Sequence, residues 1–330
     1  MYNLTVKEKK LLYYLSKNSR ESHTRIAKHI GVNKGTVGDT IKRLRKSGLI
    51  KKFTSIINVG ALGSTSFTLL LKFNKNPQKN RAIIDYFVEH PFSIWVITLS
   101  GNYDLFVEFV VKDISSLEKI ITEIRDHFQE NLNHYKFDMF AKNLRSSQLI
   151  ADVYKGMDLQ PLPLKDRKYK EKKLDDLDRK ILHVLTANSD KSLVEIAKEV
   201  GSTWDVVRYR IKLMEQAKII LTYFPEIDYK QLGYMQFICN VELRNINAES
   251  FKQFEHIMKT NPNTLYAFTS ANSPSILFHC VFKSLDELDT LLRMIQEKFK
   301  EHIYATDYYI VRDELKLDLF PKGMMEEYKF

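Results

Sequence analysis

The chain repeats itself. Displaced by 170 positions, residues 10–63 align on 180–233 without a gap. Ile26-Ala27-Lys28 falls on Ile196-Ala197-Lys198, Gly31 on Gly201, Ile41-Lys42 on Ile211-Lys212, and Leu62-Gly63 on Leu232-Gly233. With one added residue the register carries on: Pro91 meets Pro262, Ile124 meets Ile295 and Phe128 meets Phe299. A period this long is a duplicated pair of domains, not a short solenoid unit. Each copy is therefore a control for the other, because chemistry kept in one and lost in the other can be read position by position.

Periodicity gives the order of elements. In the first copy, Leu11, Leu12 and Leu15 mark a helix over 7–18. Thr24–Ile30 is a short helix stopped by Gly31, and Asn33 caps a third helix whose buried stripe is Val37, Ile41 and Leu44. Leu49–Asn58 is a strand. Three helices with a tight turn and then a strand form a winged helix-turn-helix pattern, repeated over 177–228 with Val207, Ile211 and Met214. A β-α-β-β-α-β order follows each one. Its strands in the first copy are Ser66–Asn74, Ser93–Ser100, Leu105–Val111 and His134–Ala141, with helices Asn80–Glu89 and Ser116–Phe128. In the second copy the unit runs from Tyr234–Leu243 to Tyr304–Val311. This is ferredoxin-like topology.

The expected fold class is α+β. Residues 1–63 form a winged helix-turn-helix, 64–148 a ferredoxin-like domain and 149–173 a linker. Residues 174–233 form a second winged helix-turn-helix, 234–320 a second ferredoxin-like domain and 321–330 a tail without evident structure. Pro161, Pro163 and the run Lys165–Lys173 carry the linker reading.

The net charge of +10 is unevenly placed. Residues 1–63 hold 14 Lys/Arg against 3 Asp/Glu, a net of +11, whereas 174–233 hold 9 against 10. So dense a basic segment on an otherwise balanced chain points to a polyanion. No apolar run approaches the ~20 residues that span a bilayer, and no signal-peptide core opens the chain. Cys239 and Cys280 fall on apolar strand faces, as buried free thiols in a reducing, cytoplasmic setting would.

The helix after Gly31 is the expected DNA reader. Lys42, Arg43, Lys46 and the strand residues Lys51 and Lys52 suit phosphate contacts. Lys34 and Thr36 lie at the end that meets base edges, Asp39 could accept from a cytosine amino group but would also repel phosphate, and Asn33 and Thr40 complete the candidate DNA-binding set. Gly35 and Gly38 either admit a close DNA backbone or weaken the helix. In the second copy, Ser202, Thr203, Arg208, Arg210 and Lys212 are the matching candidates. The near-neutral charge around them leaves open a module kept for packing. No phosphate loop, metal-ligand spacing or catalytic triad pattern is evident, so neither an enzyme nor a cofactor is expected.

These residues resemble the Lrp/AsnC family of feast/famine transcription regulators. The resemblance is carried by Ile26-Ala27-Lys28, Gly31, Val37, Ile41-Lys42-Arg43-Leu44, Gly48-Leu49-Ile50 and Leu62-Gly63, and by Val207-Arg208-Tyr209-Arg210-Ile211-Lys212 in copy two. It covers most of the chain in the family's domain order. It implies a sequence-specific regulator of double-stranded DNA, built as an internal pseudo-dimer of two fused protomers, with homo-oligomers of whole chains left open. It also implies a small effector, such as an amino acid, at the turn Gly101, Asn102, Tyr103, Asp104. A plain hairpin turn is the alternative there, and copy two replaces both glycine and carboxylate with Asn272-Ser273-Pro274-Ser275. Two rivals share the architecture or the partner. One is a sirohaem decarboxylase-like enzyme, whose His-x-Tyr-x-Arg segment is here Ser93-Ile94-Trp95-Val96 and Thr264-Leu265-Tyr266-Ala267. The other is an effector-independent architectural DNA-binding protein.

Overall fold

The computed structural model describes residues 1–74, 76–162, 168, 169 and 173–325. Helix α1 (Val6–Lys17) starts at a reciprocal cap in which Glu8 N donates to Thr5 Oγ1 and Thr5 N donates to the Glu8 carboxylate. Helix α2 (His23–Ile30) ends on Gly31, whose φ of 71° is the left-handed turn between the paired helices. Helix α3 (Lys34–Lys46) buries Val37, Ile41 and Leu44 and leads to strand β1 (Ile50–Ile57).

Strand β2 (Thr65–Phe73), helix α4 (Pro77–Glu89), β3 (Ser93–Ser100), β4 (Leu105–Val111), α5 (Ile114–Phe128) and β5 (Leu132–Ser146) complete the first copy. The second copy repeats the order. Its reader module is α6 (Asp176–Ala187), α7 (Leu193–Val200), α8 (Trp204–Gln216) and β6 (Ile220–Ile227). Then come β7 (Met235–Leu243), α9 (Ala248–Thr260), β8 (Thr264–Ser270), β9 (Ser275–Phe282), α10 (Leu285–Phe299), β10 (Ile303–Leu317) and the short α11 (Lys322–Met325).

The two copies close on each other. Strands β1 and β6 form an antiparallel ribbon, with Phe53 opposite Pro225 and Thr54 opposite Phe224. The eight remaining strands make a closed barrel in the order β10-β3-β4-β2-β5-β8-β9-β7. Each half keeps its own ferredoxin-like sheet, and two seams join the halves. One pairs β5 with β8, as in Phe140–Ser270. The other pairs β10 with β3, as in Ile310–Ser100. Closure leaves the long barrel strands no open edge for another chain to pair with. The same hydrogen bonds recur across the pseudo-two-fold: Ser19 N donates to Tyr223 O and Ser189 N to Phe53 O, both at 2.9 Å. Asn58 N to Ile219 O (2.8 Å) and Asp228 N to Leu49 O (2.9 Å) repeat the symmetry.

Helices α4 and α5 cover one face of the first sheet over Phe67, Leu69, Phe87 and Phe109, all buried. Phe237, Phe254, Phe278 and Ile295 do the same in the second half. Each such side chain contributes roughly 1.5–3 kcal/mol by leaving water.

Several expectations change. The closing strands run past Ala141 and Val311 to Ser146 and Leu317, because their added residues pair with the opposite half. The tail is structured as far as Met325. Phe320 and Met324 are buried, and Arg179 Nη1 donates to Met324 O at 2.9 Å. The start of the linker is folded as well: Leu149, Ile150 and Val153 are buried against the first module, and Tyr13 Oη donates to Gln160 O at 2.9 Å. Pro163 and most of Lys165–Lys173 lie outside the described residues, as do 326–330. Cys239 and Cys280 are buried free thiols with their sulfurs 3.7 Å apart. Among the described residues, no helix is long and apolar enough to cross a membrane.

Candidate nucleic-acid interface

The outward face of α3 is basic. Asn33, Lys34, Thr36, Asp39, Lys42, Arg43 and Lys46 are exposed, and Thr40 is half-buried. Lys34, Lys42 and Lys46 form no ion pair among the described residues, so their charge stays available. Asn33 and Thr36 build the helix start. Asn33 Oδ1 accepts from Thr36 N at 2.8 Å and from Thr36 Oγ1 at 2.9 Å. That cap lines up the first backbone N–H groups at the end where an anion is favoured.

The other expected phosphate contacts have partners within the protein. Arg43 Nη2 donates to Glu8 Oε1 at 2.9 Å, which ties α3 to the start of α1, although the arginine side chain stays 60% exposed. Lys51 and Lys52 also meet acceptors on the barrel side of the ribbon. Lys51 Nζ sits 3.0 Å from Glu314 Oε1 and 3.3 Å from Glu226 Oε1. Lys52 Nζ donates to Leu317 O at 2.6 Å and lies 3.7 Å from Glu226 Oε2. The cause is the strand's position, since β1 pairs with β6, which carries Glu226, and lies against the end of β10.

Burial pushes the Glu226 carboxyl up, the charge and hydrogen bond of Glu314 add to this, and Lys51 and Lys52 pull down, leaving it at about 7. Burial also pushes Glu314 up. The Lys51 ammonium and the bonds from Glu226, Lys51 and Trp95 outweigh that and hold it below the usual carboxylate range.

The second reader differs in kind. Lys34, Thr36 and Asp39 of α3 match Trp204, Val206 and Tyr209 of α8, which are 49%, 37% and 60% exposed. Arg208 lies over the Trp204 ring, 4.9 Å from its centre. Arg210 Nη1 donates to Asp175 Oδ2 at 2.7 Å and to Asp178 Oδ2 at 3.4 Å, which ties α8 to the start of α6. Asp178 matches Glu8 in the repeat, so both readers hang on the same acid, by arginines one helical turn apart. Lys212 and Thr203 are exposed, and Ser202 is half-buried. Trp204 and Arg45 are not among the residues that sequence motifs single out. The repeat itself pairs Trp204 with Lys34. Nothing in the sequence points from Arg45 to Asp190, which it meets at 3.0 Å across the two modules.

The turn Gly101–Asp104 sits at a seam. Gly101 has a φ of 137°, and a Cβ there would lie 3.4 Å from Tyr309 Cδ1. Tyr103 packs its ring edge against Tyr309, centroids 5.4 Å apart. Asp104 Oδ1 accepts from Lys72 Nζ at 3.0 Å and Oδ2 from Phe73 N at 2.9 Å. Gly101 and Asn102 are exposed. Among the described residues, no group of three or more His, Cys, Asp or Glu is placed to hold a metal ion.

Residues 4–51 match the family model described as winged helix-turn-helix DNA-binding, and 174–215 match the AsnC-type helix-turn-helix domain. The chain is 31% identical over 114 residues to the HTH-type transcriptional regulator FL11 of Pyrococcus furiosus, which takes in 34% of this chain and 75% of that one. It is 32% identical over 114 residues to the HTH-type transcriptional regulator Ptr1 of Methanocaldococcus jannaschii, covering 34% and 76%. Among solved structures, the sirohaem decarboxylase NirDL superposes on 98% of this chain and 97% of its own, with a TM-score of 0.65 and 13% identity, a likeness of fold alone. With an exposed reader helix in each copy and relatives matched over three quarters of their length, the chain belongs to the Lrp/AsnC family of sequence-specific, DNA-binding transcription regulators.

Proposed function

We propose that this chain acts as a two-subunit regulator in one polypeptide, with the first module supplying most of the attraction for DNA. The observation that carries this is the contrast between the reader helices. Helix α3 has five Lys/Arg and one Asp, whereas α8 has three Lys/Arg and two Asp/Glu. Lys42 and Lys46 bind phosphate and fix the register, with Lys34 at the end of the helix that meets base edges. The second module adds contacts of another type, with the exposed Val206 and Trp204 suited to thymine methyl groups and Arg208 and Lys212 to phosphate. Two unlike readers fixed by one pseudo-two-fold read an asymmetric site, unless whole chains pair and restore a palindrome. A small effector such as an amino acid at the Gly101–Asp104 turn would meet the exposed Gly101 and Asn102, since the Asp104 carboxylate is already bonded.

Selection of bound duplexes by the full chain, followed by footprinting, tests this reading. A discrete, non-palindromic protected site is the expected result. A palindromic site bound by one chain would remove the division of labour, and uniform protection would mark an architectural DNA-coating protein.

The whole-chain likeness to NirDL keeps an enzymatic reading in view. One feature favours the regulator: Ser93–Val96 and Thr264–Ala267 lack the His and Arg of the decarboxylase-type segment. An absorption band retained after incubation with a tetrapyrrole would reopen that reading.

A further inference from the structure

Two glycines, Gly35 and Gly38, sit inside the thirteen-residue helix α3. Glycine weakens a helix relative to alanine, because it has the most backbone freedom to lose. Nothing within the protein asks for either residue. The glycines with positive φ near this helix are Gly31 before it and Gly48 after it, and Gly35 and Gly38 are not among them. Space is not short either. A Cβ on Gly35 would stand 3.4 Å from Asn33 Oδ1, and one on Gly38 would stand 3.7 Å from His23 Nδ1, both ordinary contacts.

The two positions face different things. Gly38 is half-buried and looks toward His23, the first residue of α2. Gly35 is exposed, and the atom its Cβ would meet belongs to the capping Asn33. At about 100° per residue, Gly35 lies opposite the buried Leu44 and in line with Lys42 and Lys46, two and three turns further along. Bare backbone thus occupies the middle of the outward face in the first turn, the end that meets base edges in a module of this kind. A helix offers no acceptor to the N–H groups of its first turn, and here Asn33 Oδ1 takes that of Thr36. The second reader is built differently. The repeat puts Asp205 opposite Gly35 and Arg208 opposite Gly38. Asp205 is exposed, and a hydrogen bond from Thr203 holds its carboxyl below the usual range, so α8 presents a negative charge where α3 presents none.

We propose that Gly35 is the positioning residue of the first reader, and that its missing side chain lets the first turn of α3 seat with its backbone against the base edges of duplex DNA. This rests on the DNA reading of the first module. A methyl group at this position holds the helix off by about 1.5 Å, the length of one carbon–carbon bond. Hydrogen bonds from the first turn to base edges do not survive that gap, since they hold only over a few tenths of an ångström around 2.9 Å. The long side chains of Lys42 and Lys46 follow the phosphates across it. The loss therefore falls on the recognised sequence and not on duplex DNA in general.

Full chains carrying Gly35→Ala, Gly38→Ala or Lys42→Glu are titrated with the duplex that the wild-type chain selects and with a scrambled duplex of the same length. Their melting midpoints are recorded without DNA. Gly35→Ala is expected to weaken the selected duplex about tenfold, to change the scrambled one less than about twofold and to raise the midpoint by about 1–2 °C. Gly38→Ala is expected to gain similar stability and to bind both duplexes as the wild type does, because its methyl lies against His23. Selected-duplex binding by Gly35→Ala at wild-type strength, equal losses from the two alanines, an equal loss on both duplexes, or a lowered midpoint for Gly35→Ala would overturn the proposal. Lys42→Glu separates two failures. If it leaves binding intact, the anchor in the first module is wrong and this proposal falls with it. If it weakens both duplexes while Gly35→Ala weakens neither, the role of Gly35 alone falls.

Discussion

Lys51 Nζ lies 3.0 Å from Glu314 Oε1, so the strand leaving the first reader module is bonded to the last strand of the second half-barrel. The same ammonium reaches Glu226 on β6 at 3.3 Å. Residues more than 250 positions apart thus fix the β1–β6 ribbon on the barrel. The ribbon in turn fixes the reader modules relative to each other.

Lys51→Gln therefore acts on stability rather than on DNA contact. The Glu226 and Glu314 side chains it serves are only 12% and 17% exposed. Loss of their cation should cost roughly 1–2 kcal/mol, measured by denaturant unfolding. The slope of log affinity against log salt should stay unchanged. A slope reduced by about one would return Lys51 to the phosphate backbone.

The Glu226–Glu314 pair gives a pH signature. The folded pKa of Glu226, about 7, lies above its ordinary value of 4.5, so the native state holds more protons between those values than the unfolded chain. Stability from this group is complete below pH 4.5 and is lost as pH rises toward 7. Unfolding midpoints at pH 5 and pH 8 should show wild type losing about 2 kcal/mol relative to Glu226→Gln. His90 and His279, both held near 4 by burial, work in the opposite sense and are lost as pH falls, but they are common to both proteins and cancel in the difference. An identical pH dependence for the two proteins would contradict the raised pKa of Glu226.

Arg210 and Lys212 should separate cleanly. Arg210→Ala removes the guanidinium from Asp178, which is 1% exposed, and should lower stability by about 1 kcal/mol with little change in salt dependence. Lys212→Ala, on an exposed side chain, should leave stability within error and weaken DNA binding slightly. Thermal melts and binding titrations on the same preparations decide it; the reverse pattern would make Arg210 a DNA contact.

Gly48 and Lys218 occupy matching turns, with φ of 77° and 59°. The glycine adopts this left-handed backbone freely and the lysine does so under strain. Lys218→Gly should stabilise the chain by roughly 0.5–1 kcal/mol. Gly48→Ala should destabilise it, since its Cβ would also come within 3.0 Å of Gln231 Nε2. Calorimetry on both variants checks the pair, and a destabilising Lys218→Gly would show that the lysine side chain contributes more than its backbone costs.

The helices and the core of each half were legible because their signals are local. Val37, Ile41 and Leu44, or Phe67 and Leu69, announce their burial by spacing alone. What joins the copies was not legible. The ends of β5 and β10 read as polar because residues such as Lys142 and Lys316 sit on strands whose partners lie in the other half. The carboxylate partners of Lys51, Lys52 and Arg210 were not legible for the same reason, since a basic residue beside a reader helix carries no local sign of a distant carboxylate. The Asp104 carboxylate is satisfied by Lys72 and Phe73 N, which a turn motif does not reveal. The charge contrast between the modules is compositional and needed no structure.

The most direct measurement is the salt dependence of DNA binding by two matched double variants, Lys42→Glu with Lys46→Glu and Arg208→Glu with Lys212→Glu. The first should cut the slope of log affinity against log salt by about two and weaken binding at least a hundredfold at low salt, and the second should change both much less. Equal losses from the two pairs, or a larger loss from the second, would contradict an anchor in the first module.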